Sequence, residues 1–269
     1  MTEKLTRPEL LRWHLDAGVD ETIGEAPLDR FDAAAPAPRP AVEQSPVAAL
    51  KPPERPVARP TVSPVADQVL RDAWALAEAA KSIDDLRQAV AGFEGCGLKK
   101  MATNTVFGDG NPEARIVFIG EGPGAEEDRQ GLPFVGLSGQ LLDKMLGAIG
   151  LDRSNVYISN TVFWRPPGNR TPTAGETALC MPFVERLMEL IDPDILVTLG
   201  GPAAKAMLAE TAGVGRLRGK WFTYSTPRLS RPAQATALFH PAYLLRSAAH
   251  KREAWADLLA IRDKLSGST

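Results

Sequence analysis

Cysteine and histidine are scarce in this 269-residue chain, which has two cysteines and three histidines. Two cysteines, Cys96 and Cys180, are too few for a disulfide framework and fit a reducing compartment. No apolar run reaches the length of a membrane span, and residues 1–8 contain no signal-peptide core. The sequence therefore predicts a soluble cytoplasmic protein, and nothing in it demands more than a monomer.

The chain also lacks an excess of charge of either sign. Its formal net charge is −2, so the total charge gives no indication of a nucleic-acid partner. Hydrophobic residues make up 44% of the sequence, which is ample for a buried core. Only the distribution of charge along the chain can therefore indicate a polyanionic partner.

The first 64 residues differ in composition from the rest. Ten of the 23 prolines fall in residues 27–64, which predicts a semi-rigid, disordered linker. Residues 1–26 precede it and include a short helical stretch at residues 7–23. This stretch is either a terminal helix or a peptide that docks on a partner protein. Residues 65–269 are predicted to form the folded domain.

Apolar strand-like runs alternate with helical segments in that domain. Strands are predicted at residues 116–119, 156–162, 195–199 and 235–239. A helix is predicted at residues 65–81, and a second helix is predicted to begin directly after its capping residue Ser82. Further helices are predicted at residues 138–149, 175–191, 202–208 and 251–265. This alternation predicts an α/β fold with a parallel sheet between helices. Ligands of such sheets bind beyond the carboxyl ends of the strands, where the polar motifs of this chain fall.

A glycine-rich turn, Gly120-Glu121-Gly122-Pro123-Gly124, directly follows the first of these strands. Such a turn lets the backbone approach a ligand and present N–H groups to a phosphate or a carbonyl. A nucleotide-binding loop is one interpretation, although no Gly-Lys-Ser/Thr follows as in a Walker loop. A polyphosphate would be repelled by four nearby acids: Glu121, Glu126, Glu127 and Asp128. The motif alone therefore does not identify the ligand.

Three further side chains at or near predicted strand ends suit a nucleobase. His240 follows the last strand, and its imidazole could donate a hydrogen bond to developing negative charge or serve a structural role. Asn160 ends the second strand, and its amide offers both a donor and an acceptor to the edge of a base. Phe134 could stack on that base or be an ordinary core residue.

Basic residues are concentrated in residues 211–252. This block contains eight basic residues and no acidic one: Arg216, Arg218, Lys220, Arg228, Arg231, Arg246, Lys251 and Arg252. In a chain of net charge −2, such a block predicts contact with a phosphate backbone. His240 lies inside the block, so the predicted catalytic group and the predicted DNA-binding surface coincide.

Together these motifs resemble the family-four uracil-DNA glycosylases. The likeness runs from about residue 96 to residue 262 with order and spacing kept, and it rests on residues 120–124, Glu127-Asp128, residues 133–136, Asn160, residues 165–170 and residues 240–246. It implies a three-layer α/β/α sandwich with a central four-stranded parallel sheet. It also implies a bacterial, nucleoid-associated enzyme of base-excision repair that flips uracil out of DNA and hydrolyses its N-glycosidic bond.

The resemblance implies a role for each motif residue. Glu121 and Glu127 would be the acids of the site, and His240 would stabilise the departing uracil anion. Phe134 would stack on the flipped base, and Asn160 would read its edge and reject cytosine. The other substrate contacts implied are Gly122, Pro123 and Gly124. The DNA contacts implied are Arg165, Arg170 and a wedge made of Leu244, Leu245 and Arg246.

One departure from the family concerns its 4Fe–4S cluster, which four cysteines normally hold. Cys96 and Cys180 match two of those positions, but Phe93 and Trp164 stand at the other two. Neither aromatic side chain can replace a thiolate, and no further cysteine exists, so the sequence predicts no cluster and no other metal. Phe93 and Trp164 are expected to fill the vacated volume as core.

Two other functions are compatible with the same residues. A non-catalytic module that senses uracil or abasic DNA would use the same pocket, although it would not need a carboxylate beside the sugar. A glycosylase of broader specificity, acting on hypoxanthine or on thymine mismatches, would also keep these motifs.

Overall fold

A computed structural model describes residues 64–267. The predicted N-terminal segment 1–26 and residues 27–63 of the predicted linker lie outside the described residues. No helix between residues 64 and 267 is long and apolar enough to cross a membrane.

Two helices, α1 (Pro64–Ala79) and α2 (Ile83–Gly92), begin the described chain. The Ser82 hydroxyl accepts a hydrogen bond from the Asp85 N–H at 3.1 Å, and the Asp85 carboxylate accepts one from the Ser82 N–H at 3.0 Å. This capping box satisfies N–H groups that the first turn of α2 leaves unpaired, so the predicted start of the helix is confirmed. Both helices contact the long helix α5 (Ala174–Ile191).

Four parallel strands form the centre of the sheet: β2 (Ile116–Gly120), β3 (Tyr157–Asn160), β4 (Ile195–Leu199) and β6 (Ala233–Leu238). Two short antiparallel strands, β1 (Asp109–Gly110) and β5 (Phe222–Tyr224), pair with its outer members. The order across the sheet is β1-β3-β2-β4-β6-β5. The predicted four-stranded parallel sheet is thus confirmed as the centre of a wider one. Strands of two and three residues are too short to give an alternation pattern in sequence.

The remaining helices are α3 (Ala125–Gln130), α4 (Leu137–Gly147), α6 (Gly201–Leu208), α7 (Val214–Leu217), α8 (Pro241–Arg246) and α9 (Lys251–Gly267). The alternating side chains of β2 show how these helices cover the sheet. Val117 and Ile119 join one buried cluster with side chains of α1, α2 and α5. Ile116 and Phe118 join a second cluster with side chains of α4, α8 and α9. The result is the predicted three-layer α/β/α sandwich.

Candidate active site

The carboxyl ends of the parallel strands bring the predicted site residues together. Gly120 ends β2 and is paired in register with Asn160, which ends β3. His240 lies two residues beyond the end of β6. Here the chain surrounds a cavity of about 430 Å³, whose walls include ten of the predicted site residues: Glu121, Gly122, Pro123, Gly124, Glu127, Phe134, Asn160, Arg170, His240 and Arg246. Its lining also includes Ser138, which no sequence motif indicated, and Tyr243, which lies in the 240–246 motif but had no predicted role.

Asn160 presents an unpaired carbonyl group at the base of this cavity. Its side chain is 1% exposed, and its Oδ1 has no hydrogen-bond partner among residues 64–267. A buried polar atom without a partner is costly, so a ligand that donates a hydrogen bond to Asn160 Oδ1 would be favoured here. Gly120 makes room for the amide, because a Cβ atom there would lie 2.5 Å from Asn160 Oδ1 and 2.6 Å from Phe134 Cζ.

The rings of Phe134 and His240 stack beside that amide, with centroids 5.6 Å apart and planes inclined by 29°. Phe134 is 4% exposed and has a positive φ of 54°, which is uncommon for a bulky residue. It belongs to the second buried cluster as well as to the cavity wall. Both readings of Phe134, as core and as a face of the pocket, are therefore compatible with its position.

His240 is held as a neutral imidazole. Burial, together with the positive charge of Arg246 and against the opposing effect of Glu127, lowers the pKa of His240 from 6.5 to about 4. The Ala242 N–H donates to His240 Nδ1 at 3.1 Å, so Nδ1 carries no proton. Nε2 must then carry it, which leaves His240 with one N–H donor that is not used by its own helix.

Glu127 joins the two loops that form the cavity wall. Its Oε2 accepts a hydrogen bond from the Gly124 N–H at 3.2 Å. Its Oε1 accepts from the Val135 N–H at 2.9 Å and the Gly136 N–H at 2.8 Å. The buried carboxylate therefore ties the glycine-rich turn to the segment that carries Phe134. This arrangement favours a positioning role over the role on the substrate that the resemblance implied.

Glu121 differs from Glu127 in having its carboxylate available. It is partly exposed and lines the cavity. Its side chain makes no hydrogen bond or ion pair with the rest of the described chain, although the Glu121 carbonyl accepts a hydrogen bond from Thr161 Oγ1 at 2.7 Å. The backbone at this position is thus held by a hydrogen bond, while the partly exposed side chain lines the cavity.

Residues 107–259, more than half of the sequence, match the family model of the Uracil DNA glycosylase superfamily. The chain belongs to this superfamily. It is similar to the Type-4 uracil-DNA glycosylase of Archaeoglobus fulgidus, with 41% identity over 61% of this chain and 84% of the relative. It is also similar to the Type-4 uracil-DNA glycosylase of Thermotoga maritima, with 43% identity over 56% and 77% of the two chains. A Type-5 uracil-DNA glycosylase of Thermus thermophilus is 35% identical over 39% of this chain and 54% of its own length.

The burial of Leu244 argues against one of the DNA contacts predicted for this superfamily member. Leu244 is 1% exposed and packs in the buried cluster beneath α8, so its side chain is not available to enter a duplex. Leu245 is 47% exposed, and Arg246 is exposed at the mouth of the cavity. In a helix, neighbouring side chains point in directions about 100° apart, so a three-residue wedge could not present every side chain on one side.

The two arginines of the 165–170 loop are both engaged within the protein. Arg170 pairs with Glu176 through contacts of 2.7 and 2.9 Å, and Arg165 Nε donates to Asn169 Oδ1 at 2.7 Å. Arg170 lines the cavity, whereas Arg165 does not. The loop is therefore shaped by its own side chains before any substrate arrives.

The basic block is less positive in space than in sequence, because acids from outside it pair with three of its arginines. Arg218 bonds to Asp257 at 2.8 Å, Arg228 to Glu78, and Arg231 to Asp194. These acids lie in α9, in α1 and just before β4, far along the chain from their partners. The count of eight basic residues and no acidic one in the sequence thus overstates the positive charge of this block in space. Arg246 is the member of the block that lines the cavity.

The predicted remnants of a metal site in this superfamily member lie in an aromatic core. Cys96 and Cys180 are fully buried, and a hydrogen bond between their thiols lowers the pKa of Cys96 to about 7. Phe93 packs on Phe183 at 5.2 Å between ring centroids, and the Trp164 indole donates to Thr105 Oγ1 at 3.1 Å. Among the described residues, no group of three or more His, Cys, Asp or Glu side chains could hold a metal ion. Two thiols in this setting do not fit a cluster that needs four.

Proposed function

We propose that this protein is a monofunctional uracil-DNA glycosylase, which hydrolyses the N-glycosidic bond of deoxyuridine in DNA and leaves an abasic site for base-excision repair. The observation that carries the proposal is the unpaired, buried amide of Asn160 in one cavity with the Phe134 ring and the neutral His240. The names of the Type-4 relatives give independent support.

Recognition of the base would use the amide and the two rings. A uracil flipped into the cavity stacks on Phe134, and Asn160 Oδ1 accepts a hydrogen bond from the N3–H of the base. The amide NH2 of Asn160 can then donate to the neighbouring carbonyl oxygen. Cytosine lacks the N3–H and would leave Asn160 Oδ1 unpaired, which is a strong ground for rejection.

Bond cleavage would place negative charge on the leaving base and positive character on the sugar. The Nε2–H of His240 donates to a uracil carbonyl oxygen and stabilises the anion as the bond breaks. Glu121 lines the same cavity, and its carboxylate would orient the attacking water and offset the positive character of the sugar. Glu127 would act through the backbone, by keeping the two loops at a fixed separation.

DNA would be held around the mouth of this cavity. Leu245 is the apolar side chain that would enter the space left by the flipped nucleotide, and Arg246 beside it would contact a phosphate. Arg165 and Arg170 would flank the other side of the strand.

We also propose that the protein works as a monomer in the bacterial nucleoid without an iron–sulfur cluster, and that residues 7–23 bind a protein partner.

Excision can be tested with two oligonucleotides of the same sequence, one with a single uracil and one with thymine at that position. We expect alkali to cleave only the uracil strand after incubation with the protein, and Asn160→Ala to lower the single-turnover rate at least about 100-fold. An uncut uracil strand under excess protein, with binding retained, would favour the non-catalytic module. Cleavage at hypoxanthine or at a thymine mismatch would extend the specificity.

A further inference from the structure

The backbone at Phe134 adopts a conformation that its own side chain disfavours. Its φ of 54° lies in the left-handed region, which residues other than glycine rarely adopt. Such a conformation persists only where the surrounding structure fixes it. Glu127 fixes the N–H groups that follow, at Val135 and Gly136. The carbonyl of Phe134 itself needs a separate partner.

Arg153 supplies that partner from outside the cavity. It lies in the turn between α4 and β3 and is not among the residues that line the cavity. Its Nη1 donates to the Pro133 carbonyl at 3.1 Å, and its Nη2 donates to the Phe134 carbonyl. Gly139 of α4 lies against the same carbonyl, where a Cβ atom would collide with it. The Phe134 carbonyl is thus held between a guanidinium and a helix that approaches closely.

Two acids hold the guanidinium in turn. Arg153 Nη1 bonds to Asp109 Oδ2 at 2.7 Å, and Arg153 Nε bonds to Asp143 Oδ1 at 3.0 Å. Asp109 comes from the edge strand β1 and Asp143 from α4, so the sheet and a helix both orient the side chain. All three guanidinium nitrogens are therefore used, and the Arg153 side chain is 26% exposed.

We propose that Arg153 is a positioning residue for uracil excision, which holds Phe134 in the left-handed conformation that places its ring against His240. This inference rests on the proposed function, in which the Phe134 ring stacks on the flipped uracil. Arg153 does not line the cavity, so it would act on the reaction through the segment whose carbonyls it holds, Pro133 and Phe134. A lysine would keep the positive charge but could not reproduce the planar fork that meets two carbonyls and two acids.

The test compares single-turnover excision by the full-length wild type, Arg153→Met, Arg153→Lys, Phe134→Ala and the double variant Arg153→Met/Phe134→Ala. We expect Arg153→Met to lower the excision rate about 10- to 100-fold, since small misplacements near a reacting centre have effects of that size. Arg153→Lys should lie between it and the wild type. In the Phe134→Ala background, Arg153→Met should change the rate by less than about threefold, because its target is already gone.

Arg186→Met is the matched control. Arg186 also donates two hydrogen bonds to a backbone carbonyl, that of Ala80, and pairs with an acid, Glu189 at 3.0 Å. It lies on α5, away from the cavity. We expect this variant to melt at a lower temperature with an unchanged excision rate. An Arg153→Met or Arg153→Lys protein that excises uracil at the wild-type rate would overturn the proposal, as would an equal loss in both backgrounds.

Amide exchange separates this proposal from the proposed function. By NMR, we expect the Val135 and Gly136 amides to exchange at least about tenfold faster in Arg153→Met or Arg153→Lys than in the wild type and in Arg186→Met. If the wild type proves inactive on uracil, the proposed function fails while this measurement still decides whether Arg153 holds the segment. Unchanged exchange in both Arg153 variants would refute the positioning role whatever the activity.

Discussion

At the scale of single residues, the protonation state of His240 is set by its surroundings before any substrate binds. Burial and Arg246 disfavour the imidazolium, and the N–H of Ala242 occupies Nδ1. A cationic histidine would bind an anionic leaving group more strongly, but it would also be costly to bury. The protein instead offers a neutral donor whose direction is fixed by the start of α8.

The titration of His240 is the first test of this arrangement. Between pH 4 and pH 6.5 the unfolded chain binds a proton at this position that the folded chain does not. The free energy of unfolding should therefore be at its full value above pH 6.5 and fall by up to about 3 kcal/mol as the pH drops toward 4. We expect the His240 ring signals in NMR spectra to stay constant from pH 8 to pH 5.5. A titration midpoint near pH 6.5 would contradict the buried neutral state. Comparison with His240→Gln gives the contribution of His240 to the pH dependence of the free energy of unfolding.

Gly120 provides a second prediction at this scale. In Gly120→Ala, the new methyl group would press on both Asn160 Oδ1 and the Phe134 ring. We expect a loss of excision of at least about 100-fold and a destabilisation of about 1–3 kcal/mol from overpacking. Gly147→Ala is the control, because nothing lies within 4 Å of a Cβ atom at that helical position. It should keep full activity and gain up to about 1 kcal/mol of stability. Equal activity of the two variants would show that the amide can move aside.

At the scale of elements, α8 places two adjacent leucines in opposite environments. Leu244 is buried among side chains of α4 and α9, whereas Leu245 is exposed and precedes Arg246, which lines the cavity. Neighbours in a helix point about 100° apart, so one of them anchors the helix and the other faces outward. The short helix can therefore present Leu245 and Arg246 to DNA without losing its attachment to the core.

Alanine variants of the two leucines should consequently fail in different ways. We expect Leu244→Ala to lower the free energy of unfolding by about 2–4 kcal/mol, as usual for a buried leucine. Leu245→Ala should leave the melting temperature within about 1 °C of the wild type. It should slow excision from duplex DNA more than from single strands, because only a duplex must be opened. Equal effects of Leu245→Ala on both substrates would remove its role as a wedge.

At the scale of the whole molecule, local sequence patterns were enough to predict the parallel sheet and most residues of the cavity wall. The runs that became β2 and β4 are apolar except for Thr198. Gly120 and Asn160 are the last residues of β2 and β3, and His240 lies two residues beyond β6. Contacts between distant parts of the chain were not predictable in this way. The pairing of Arg231 with Asp194 and the burial of Leu244 depend on tertiary packing, which no local pattern encodes. Arg153 was missed for the same reason, since its partners Asp109 and Phe134 lie 44 and 19 residues away.

The cysteine pair belongs to this whole-molecule scale because its surroundings come from several elements. Phe93 follows α2, Trp164 follows β3, and Cys180 and Phe183 lie on α5. Their side chains fill one continuous core with ring contacts of 5.2 to 6.4 Å, and both cysteines in it are free thiols. Close packing of this kind would stabilise the region without a metal cluster.

Iron should therefore be dispensable for both folding and excision. We expect purified protein to show no absorption band near 400 nm and less than about 0.1 iron atom per chain, since two thiolates cannot complete a four-cysteine site. An iron chelator should leave the melting temperature and the excision rate unchanged. Cys96→Ser should lower the free energy of unfolding by about 1–3 kcal/mol through its buried hydroxyl, and excision should persist below the new melting temperature. A brown preparation with stoichiometric iron, or activity lost to the chelator, would show that other ligands complete a metal site and that the aromatic core rearranges around it.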